Sequence, residues 1–191
     1  MGIQYFEQKR VFKLDTPKST YMIGIVDEEN FIGHIYYGKR VIDSGLGYLM
    51  RTGEGALTPS KNNRDRVNFM DSFPMEYSTH GIGDFRESCI RVKTKQGHSA
   101  CSLSYLSHRI YPGKPQLDGL PATFGEEASC TTLELICEDK VLKLQVVLVY
   151  TVFEALDAIT RSVRILNEAE DTIYLTKVLS ACLDMDNREY D

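Results

Sequence analysis

A glycine-rich polar segment at residues 76–86 is the part of this sequence whose residue types most clearly suggest chemistry. Gly81 and Gly83 permit positive φ angles and a close approach of the backbone to another group. Asp84 and Arg86 are spaced so that they could pair with each other or clamp a loop. This segment could therefore contact a ligand, or it could fix a turn and dock the chain on a neighbouring domain.

Two further segments have the same character. One runs from His108 and Arg109 to Lys114, which stands between a glycine and a proline, and the other covers residues 119–123. Gly and Pro in such runs set the backbone angles of turns. For all three segments we favour turn formation and docking over direct ligand contact, and both interpretations stay open.

The sequence carries none of the common catalytic or metal-binding motifs, such as a P-loop, G-x-S-x-G, H-E-x-x-H or an EF-hand loop. The four histidines lack the spacing of metal ligands, and His34 and His108 are expected to be structural. The five cysteines form no C-x-x-C pair, so they are expected to be buried or partly buried free thiols. We therefore expect neither a metal nor a cofactor.

The composition limits the class of protein. The chain has 191 residues, of which 42% are hydrophobic and 26% are charged, and this is typical of one soluble globular domain. A net charge of −5 argues against a nucleic-acid or anionic-membrane binder. No apolar run reaches the roughly 20 residues of a membrane helix. The N-terminus lacks the pattern of a signal peptide, which predicts a cytoplasmic location.

The elements that must position these segments are strands, because apolar and polar residues alternate along most of the chain and no long helical period occurs. The pattern predicts a hairpin from residues 19–26 and 31–37, with a four-residue polar loop between them. Further strands are predicted at residues 131–138, 141–153, 158–167 and 173–183. The whole pattern predicts an all-β fold, an antiparallel β-sandwich with long strands.

Arg161 breaks this alternation, since it falls on the apolar face of the 158–167 strand. It could lie at a sheet edge, which we favour, or form a buried ion pair. Two long irregular stretches also interrupt the strands, at residues 43–77 and 112–127. The first exceeds the usual length of an unstructured connection, which is typical of a functional or mobile segment.

Short phrases in these regions form an ordered set. They are Tyr36-Tyr37-Gly38-Lys39, Glu76-Tyr77 followed by Gly83-Asp84-Phe85-Arg86, His108-Arg109-Ile110 with Gly113-Lys114-Pro115, Gly119-Leu120-Pro121-Ala122-Thr123, Thr132-Leu133-Glu134, and Tyr150-Thr151-Val152-Phe153-Glu154 leading to Ile159-Thr160-Arg161-Ser162. In this order they resemble the N-terminal region of the α-galactosidases (melibiases) of glycoside hydrolase family 36. The resemblance runs from about residue 21 to residue 184.

The resemblance implies a larger architecture. Members of this family have an N-terminal β-supersandwich of galactose-mutarotase-like fold, a central (β/α)8 barrel and a small C-terminal β-domain, usually in a cytoplasmic tetramer. They remove terminal α-linked galactose from sugars such as melibiose and raffinose with retention of configuration. Retention requires two carboxyl groups about 5–5.5 Å apart, and in the family both belong to barrel aspartates. Residues 1–191 would then be the first part of the N-terminal domain, without the barrel, the C-terminal domain or a catalytic residue.

One substrate contact is also implied by the resemblance. In some members, a loop of the N-terminal domain offers an acidic residue to the sugar pocket of a neighbouring subunit. Counted from the Tyr36-Tyr37-Gly38-Lys39 phrase, that position falls on Glu54, where the family residue is expected to be Asp. A carboxylate suits the role because it accepts hydrogen bonds from sugar hydroxyls.

Two other functions compete with a non-catalytic domain of an α-galactosidase. A free-standing carbohydrate-binding β-sandwich would use exposed aromatic platforms, and this chain has 11 Tyr and 8 Phe but no Trp. A sugar mutarotase would need a well-placed acid and base, commonly His with a carboxylate, and no histidine here lies in a motif tied to that chemistry. The α-galactosidase domain is favoured over both.

Overall fold

The computed structural model describes residues 2–26, 30–42, 45–50, 73–119 and 122–183, and within these ranges the chain is built of β-strands and short 3-10 turns without an α-helix. The strands are β1 (Gly2–Phe6), β2 (Val11–Asp15), β3 (Ser19–Val26), β4 (Phe31–Lys39), β5 (Ile90–Thr94), β6 (Ser104–Pro112), β7 (Thr131–Asp139), β8 (Leu144–Phe153), β9 (Ala158–Asn167) and β10 (Ile173–Val178). The 3-10 turns are Glu7–Lys9, Leu46–Leu49 and Glu154–Leu156. No helix in the described ranges is long and apolar enough to cross a membrane.

The strands form two four-stranded sheets and one pair. The first sheet has the order β1-β2-β3-β4, the second has the order β6-β7-β8-β9, and β5 pairs with β10. All strand pairs are antiparallel. Consecutive strands are neighbours in both large sheets, as expected where short connections join antiparallel strands.

A single large core lies between the two sheets, and it holds alternate residues of the facing strands because the side-chain period of a strand is two. The first sheet contributes Phe12, Leu14, Tyr21, Ile23 and Ile25, the β5–β10 pair contributes Ile90 and Val92, and the second sheet contributes Leu133, Leu135, Val146, Leu148, Tyr150 and Val152. The prediction of an antiparallel all-β sandwich is confirmed.

Two predicted strand boundaries differ from the structure by three residues or more. The eighth strand begins at Leu144 and not at Val141, which is 92% exposed. The reason is the Asp139 carboxylate, which accepts hydrogen bonds from the backbone N–H groups of residues 141 and 142 at 2.9 Å and so holds a turn. The last strand ends at Val178 and not at residue 183.

Four strands were not predicted: β1, β2 and β5, which have five residues each, and β6, which has nine. In β2, Phe12 and Leu14 face the core, while Lys13 and Asp15 point to the other face and are nevertheless buried. Lys13 and Asp15 form an ion pair at 3.0 Å, and the hydroxyl of Thr20 donates to Asp15 at 2.6 Å. Pairing satisfies these polar groups, which makes their burial tolerable.

A β-bulge in β4 sets the direction of the side chains that reach the site described below. His34 pairs with Ile23 and Tyr36 pairs with Met22, so Ile35 is the extra residue. Ile35 packs on the outer face of the first sheet, while His34 faces Tyr21 in the interior. Without the extra residue, each side chain of β4 beyond residue 35 would point to the opposite face of the sheet.

Candidate functional site

Glu76 is the centre of the most extensive polar network in the described residues. The chain at residues 73–77 runs beside β4, where the N–H of His34 donates to the carbonyl of Pro74 at 2.7 Å and the N–H of Glu76 donates to the carbonyl of Ile32 at 2.9 Å. These bonds direct the Glu76 side chain between the sheets, where it is fully buried. A buried carboxylate needs charged or hydrogen-bonding partners.

Four side chains from four strands supply those partners. The hydroxyls of Tyr21 and Tyr150 donate to Oε1 of Glu76 at 2.8 and 2.7 Å, and Nη1 of Arg161 donates to the same oxygen at 2.7 Å. Nδ1 of His34 lies 3.1 Å from Oε2. Because Tyr21 and His34 belong to the first sheet and Tyr150 and Arg161 to the second, the network joins the two sheets.

Both interpretations of Arg161, a sheet-edge position and a buried ion pair, agree with the structure. Its strand, β9, is the edge of the second sheet, and its side chain is 11% exposed and paired with Glu76. A second bond runs from Nη2 to the backbone carbonyl of Glu76 at 3.1 Å. The guanidinium lies 5.0 Å from the ring centre of Tyr150 and 5.9 Å from that of Tyr77, within the range of cation–π contacts.

The network fixes the charge state of its members. Burial opposes ionisation of Glu76, but the hydrogen bond from His34 and the charge of Arg161 outweigh it and hold the pKa of the carboxyl below its ordinary value. Burial and the nearby Glu76 charge raise the pKa of Tyr21 and of Tyr150 far above that of a free phenol. At neutral pH, Glu76 is thus an anion beside the Arg161 cation, and Tyr21 and Tyr150 are neutral phenols. Glu76 itself is fully buried and both its carboxylate oxygens have partners within the network, so its chemistry is that of a structural anchor.

Asp84 and Arg86 pair with each other in the loop that follows. Oδ1 of Asp84 accepts the backbone N–H of Arg86 at 3.0 Å and its Nε at 2.9 Å, and Oδ2 accepts Nη2 at 2.9 Å. Arg86 Nη2 also donates to the carbonyl of Phe73. This bidentate pair closes the loop onto the chain beside β4.

His108 and Arg109 are adjacent in β6 but face opposite sides of the second sheet. The His108 ring packs in the core against Tyr5 at 4.5 Å and Phe12 at 4.8 Å between ring centres. Its Nδ1 lies 2.7 Å from the hydroxyl of Tyr105. Burial lowers the pKa of His108 below its usual 6.5.

Arg109 belongs to a second polar cluster on the outer face of that sheet. It pairs with Glu134, whose carboxylate is almost fully buried. The hydroxyl of Tyr111 donates to Oε1 of Glu134 at 3.0 Å, and Nη2 of Arg164 lies 3.5 Å from the same oxygen. Lys114 lies elsewhere, in a cleft of about 180 Å³ that it lines with Thr123, Thr160, Arg161 and Ser162.

The structure therefore does not gather the predicted site residues into one place. Asp84 and Arg86 meet, whereas His108, Arg109 and Lys114 lie in three different environments. Glu54 lies outside the described residues. Sequence reasoning did not single out Glu76 as a partner for Arg161, although a lone arginine on an apolar face signals that a buried acid must exist elsewhere.

The cysteines are free thiols, as predicted. Cys89, Cys101, Cys130 and Cys137 are buried and Cys182 is half-buried. Burial raises the pKa of Cys101 and of Cys137 to about 12, which leaves both thiols protonated and unreactive. Among the described residues, no group of three or more His, Cys, Asp or Glu side chains could hold a metal ion.

Comparison with known proteins gives consistent results. The sequence model of the family described as the glycosyl hydrolase family 36 N-terminal domain matches residues 30–191. The bifunctional α-galactosidase/sucrose kinase AgaSK of Mediterraneibacter gnavus is 35% identical over the whole chain, which covers 20% of that protein. The α-galactosidase AgaA of Geobacillus stearothermophilus is 34% identical over the whole chain, which covers 26% of it.

Solved structures show the same relationship. The galactosidase domain of AgaSK superposes with a TM-score of 0.89 at 34% identity, over 95% of this chain and 25% of that one. The family 36 α-galactosidase AgaB of Geobacillus stearothermophilus has a TM-score of 0.86 at 35% identity, over 94% of this chain and 24% of that one. The chain thus spans about a fifth to a quarter of the length of these relatives.

Proposed function

We propose that this chain, which belongs to the glycosyl hydrolase family 36 N-terminal domain family, is the non-catalytic N-terminal domain of an α-galactosidase. The proposal rests on the share of each relative's length that this chain covers. The whole chain matches α-galactosidases of which it covers 20% and 26%, so in those proteins the matched region is one domain of a much longer enzyme.

The proposed reaction of the parent enzyme is hydrolysis of terminal α-linked galactose with retention of configuration. Structures of the related AgaA have been solved in complex with raffinose and with stachyose. Retention needs two carboxyl groups facing the glycosidic bond, and we place both outside this chain. Its two most deeply buried glutamates support this, because Glu76 and Glu134 are each occupied by arginine and tyrosine partners.

The role proposed for the domain is to dock the catalytic barrel and to support a tetramer in the cytoplasm. The Asp84–Arg86 loop and the outer surface near Arg109 and Lys114 are the proposed contact regions. Glu54 is the proposed contact to the galactoside in a neighbouring subunit.

The test compares the full-length parent with the 191-residue chain. We expect rigorously purified parent to hydrolyse a nitrophenyl α-galactoside and the 191-residue chain to be inactive, since it lacks both catalytic carboxylates. Activity that co-purifies with the short chain would contradict a non-catalytic role. Saturable binding of melibiose by the short chain alone would instead favour the free-standing carbohydrate-binding module.

A further inference from the structure

We infer that an extended segment of the parent polypeptide, from outside these 191 residues, adds a strand to the second sheet at the free edge of β9. This inference rests on the proposed function, because it requires a longer parent. The incoming segment is expected to contain an acidic residue that reaches Lys114. Addition of a strand to a sheet edge is a common mode of recognition, in which backbone hydrogen bonds hold the incoming segment.

The backbone of β9 has unused hydrogen-bonding groups along this edge. The N–H of Glu168 donates to the carbonyl of Lys143 at 2.9 Å, which makes these two residues a hydrogen-bonded pair at the end of the β8–β9 ladder. Hydrogen-bonded and non-hydrogen-bonded pairs alternate along an antiparallel ladder, and this ladder has no shift of register. The N–H and C=O groups of Arg161, Val163 and Ile165 therefore point away from β8, and among the described residues no other strand pairs with them.

The other outer edges of the two large sheets are protected in ways that β9 is not. β1 has only five residues. The chain at residues 73–77 runs beside β4 and bonds to it. β6 contains a bulge and ends at a proline, and its Tyr105 N–H donates to the carbonyl of Asn30 at 2.8 Å. Short strands, bulges, prolines and covering segments are the usual protection of sheet edges, so a ten-residue edge without them in the described part of the chain indicates a site for another strand.

The core is also incompletely covered at this edge. Ile159, Val163 and Ile165 pack against the large core but stay partly exposed. Leu148 and Val152 of the neighbouring strand β8 are fully buried. A further strand would remove the β9 side chains from water, which is favourable for apolar surface. The side chains of the incoming segment that face the core are therefore expected to be apolar.

A small cleft at the start of β9 gives the site a charge preference. It has a volume of about 180 Å³ and is lined by residues 160–162 of β9 and by Lys114, Leu117, Ala122 and Thr123 of the segment before β7. Lys114 forms no ion pair with an acid in the described part of the chain. Pockets that hold a whole small molecule occupy about 300–1,000 Å³, so this cleft suits one acidic side chain of an incoming segment.

The charges along β9 favour an acidic segment of the parent over a second copy of this chain. β9 contains two arginines and no acidic residue. One of them, Arg164, shares Glu134 with Arg109, which leaves one positive charge in excess, and Lys114 adds another. Two β9 strands paired with each other would bring like charges together, which is destabilising across a strand pair. The matched region is only 20% and 26% of two curated relatives, so most of such a polypeptide remains to supply the segment.

Residue-resolved hydrogen exchange tests the added strand, because β9 alternates between two kinds of amide. In the 191-residue chain alone, we expect the outward amides of Arg161, Val163 and Ile165 to exchange fast. The amides of Ser162 and Arg164, which bond to β8, should exchange slowly. In the full-length parent, the outward amides should slow by roughly a hundredfold or more, as expected for amides that become bonded inside a sheet, and the alternation should disappear.

Lys114→Glu in the parent tests the acidic contact, and Lys93→Glu, at an exposed position of β5, is the matched control. Reversal of the charge in the cleft should repel the incoming acid, so we expect the Arg161 amide of the parent to exchange faster by roughly two- to thirtyfold. The control should leave that exchange unchanged. Equal effects of the two variants would show that no acid reaches Lys114.

The outcomes separate this docking from the proposed function. Fast outward amides in a parent that hydrolyses an α-galactoside would overturn the docking and leave the proposed function standing. Slow outward amides in a parent without that activity would overturn the function alone. Outward amides that are already slow in the 191-residue chain at every concentration would show that the edge is filled from within these residues. Protection that appears only as this chain dimerises would show that a second copy fills it, and either result would contradict docking of an outside segment.

Discussion

At the residue scale, the central feature is a carboxylate that four donors from both sheets surround. Burying Glu76 and Arg161 together costs desolvation energy that their attraction only partly returns, so the pair adds little net stability compared with apolar residues. Its effect appears when one partner is removed, because the other is then a buried charge without compensation. We therefore expect the pair to determine how the two sheets meet more than it adds to their stability.

Glu76→Gln tests this directly. Loss of the carboxylate leaves Arg161 buried and uncompensated, so we expect the free energy of unfolding at neutral pH to fall by about 3–5 kcal/mol, measured by urea denaturation followed by circular dichroism. Glu87→Gln, at an exposed ion pair with Lys177, is the control and should change little. The double variant Glu76→Gln with Arg161→Met should lose less than the two single losses added together, and strict additivity would show that the residues are not coupled.

Two of the lowered pKa values, those of Glu76 and His108, give stability a pH dependence that can be assigned to single residues. The folded pKa of Glu76 lies below its ordinary 4.5, so its stabilisation is complete above pH 4.5 and is lost as the pH falls through the folded pKa. The folded pKa of His108 lies below 6.5, so stability is also lost as the pH falls from 6.5 towards that lower value.

Thermal unfolding measured from pH 7 to pH 3 separates these contributions. The melting temperature should decline first below pH 6.5 and more steeply below pH 4.5. His108→Gln should flatten only the first decline and Glu76→Gln only part of the second, since the exposed Asp157 and Glu87 also have lowered pKa values. A Glu76→Gln profile parallel to that of the original protein at acid pH would contradict this assignment.

At the scale of elements, the irregular segments determine the positions of key side chains as much as the regular strands do. The bulge at Ile35 turns the second half of β4 so that Tyr37 contacts Tyr21 on the inner side. The chain at residues 73–77 then pairs beside β4 and places Glu76 between the sheets, and the loop of residues 79–88 follows at once. Each of these irregular features places a side chain that regular alternation would have placed elsewhere.

Gly81→Ala tests the conformation of the loop of residues 79–88. Gly81 has φ +86°, and a Cβ built there would lie 2.8 Å from the Cα of Ala100, a backbone atom that cannot move aside. Gly97 has φ +93° with no atom within 4 Å of the same position, so Gly97→Ala carries the backbone strain without the clash. We expect Gly81→Ala to cost about 1–3 kcal/mol more than Gly97→Ala, measured by chemical denaturation. Equal losses would show that the loop gives way at Ala100.

At the scale of the whole molecule, two antiparallel sheets and a β5–β10 pair enclose one core, and the same arrangement superposes on the galactosidase domain of AgaSK at a TM-score of 0.89. Such agreement at 34% identity is expected when a fold depends on alternation and on a few buried polar contacts. In the proposed enzyme, the catalytic residues lie elsewhere in the polypeptide, and this domain would act through its surfaces and loops.

Glu54→Ala in the full-length parent tests a contact between subunits. A hydrogen bond to a charged group contributes about 1.5–3 kcal/mol, so kcat/KM should fall by roughly ten- to a hundredfold. Glu54→Gln should recover only part of this loss, because the amide lacks the charge. Steady-state kinetics and the oligomeric state are measured together, since a contact to substrate should leave assembly intact. Unchanged kinetics in the Ala variant would show that the position implied by the family resemblance is wrong.

The sequence by itself determined the class of fold and the family, because alternation is a local property with a period of two and the family phrases are read in order along the chain. It also marked Arg161 as a break in that pattern. Only the tertiary structure decided its partner, since Glu76 is 85 residues away and comes near through the pairing of a loop with β4. The same holds for the bulge at Ile35. These features depend on which strands meet and in which register, and that is set by the packing of the two sheets on a common core.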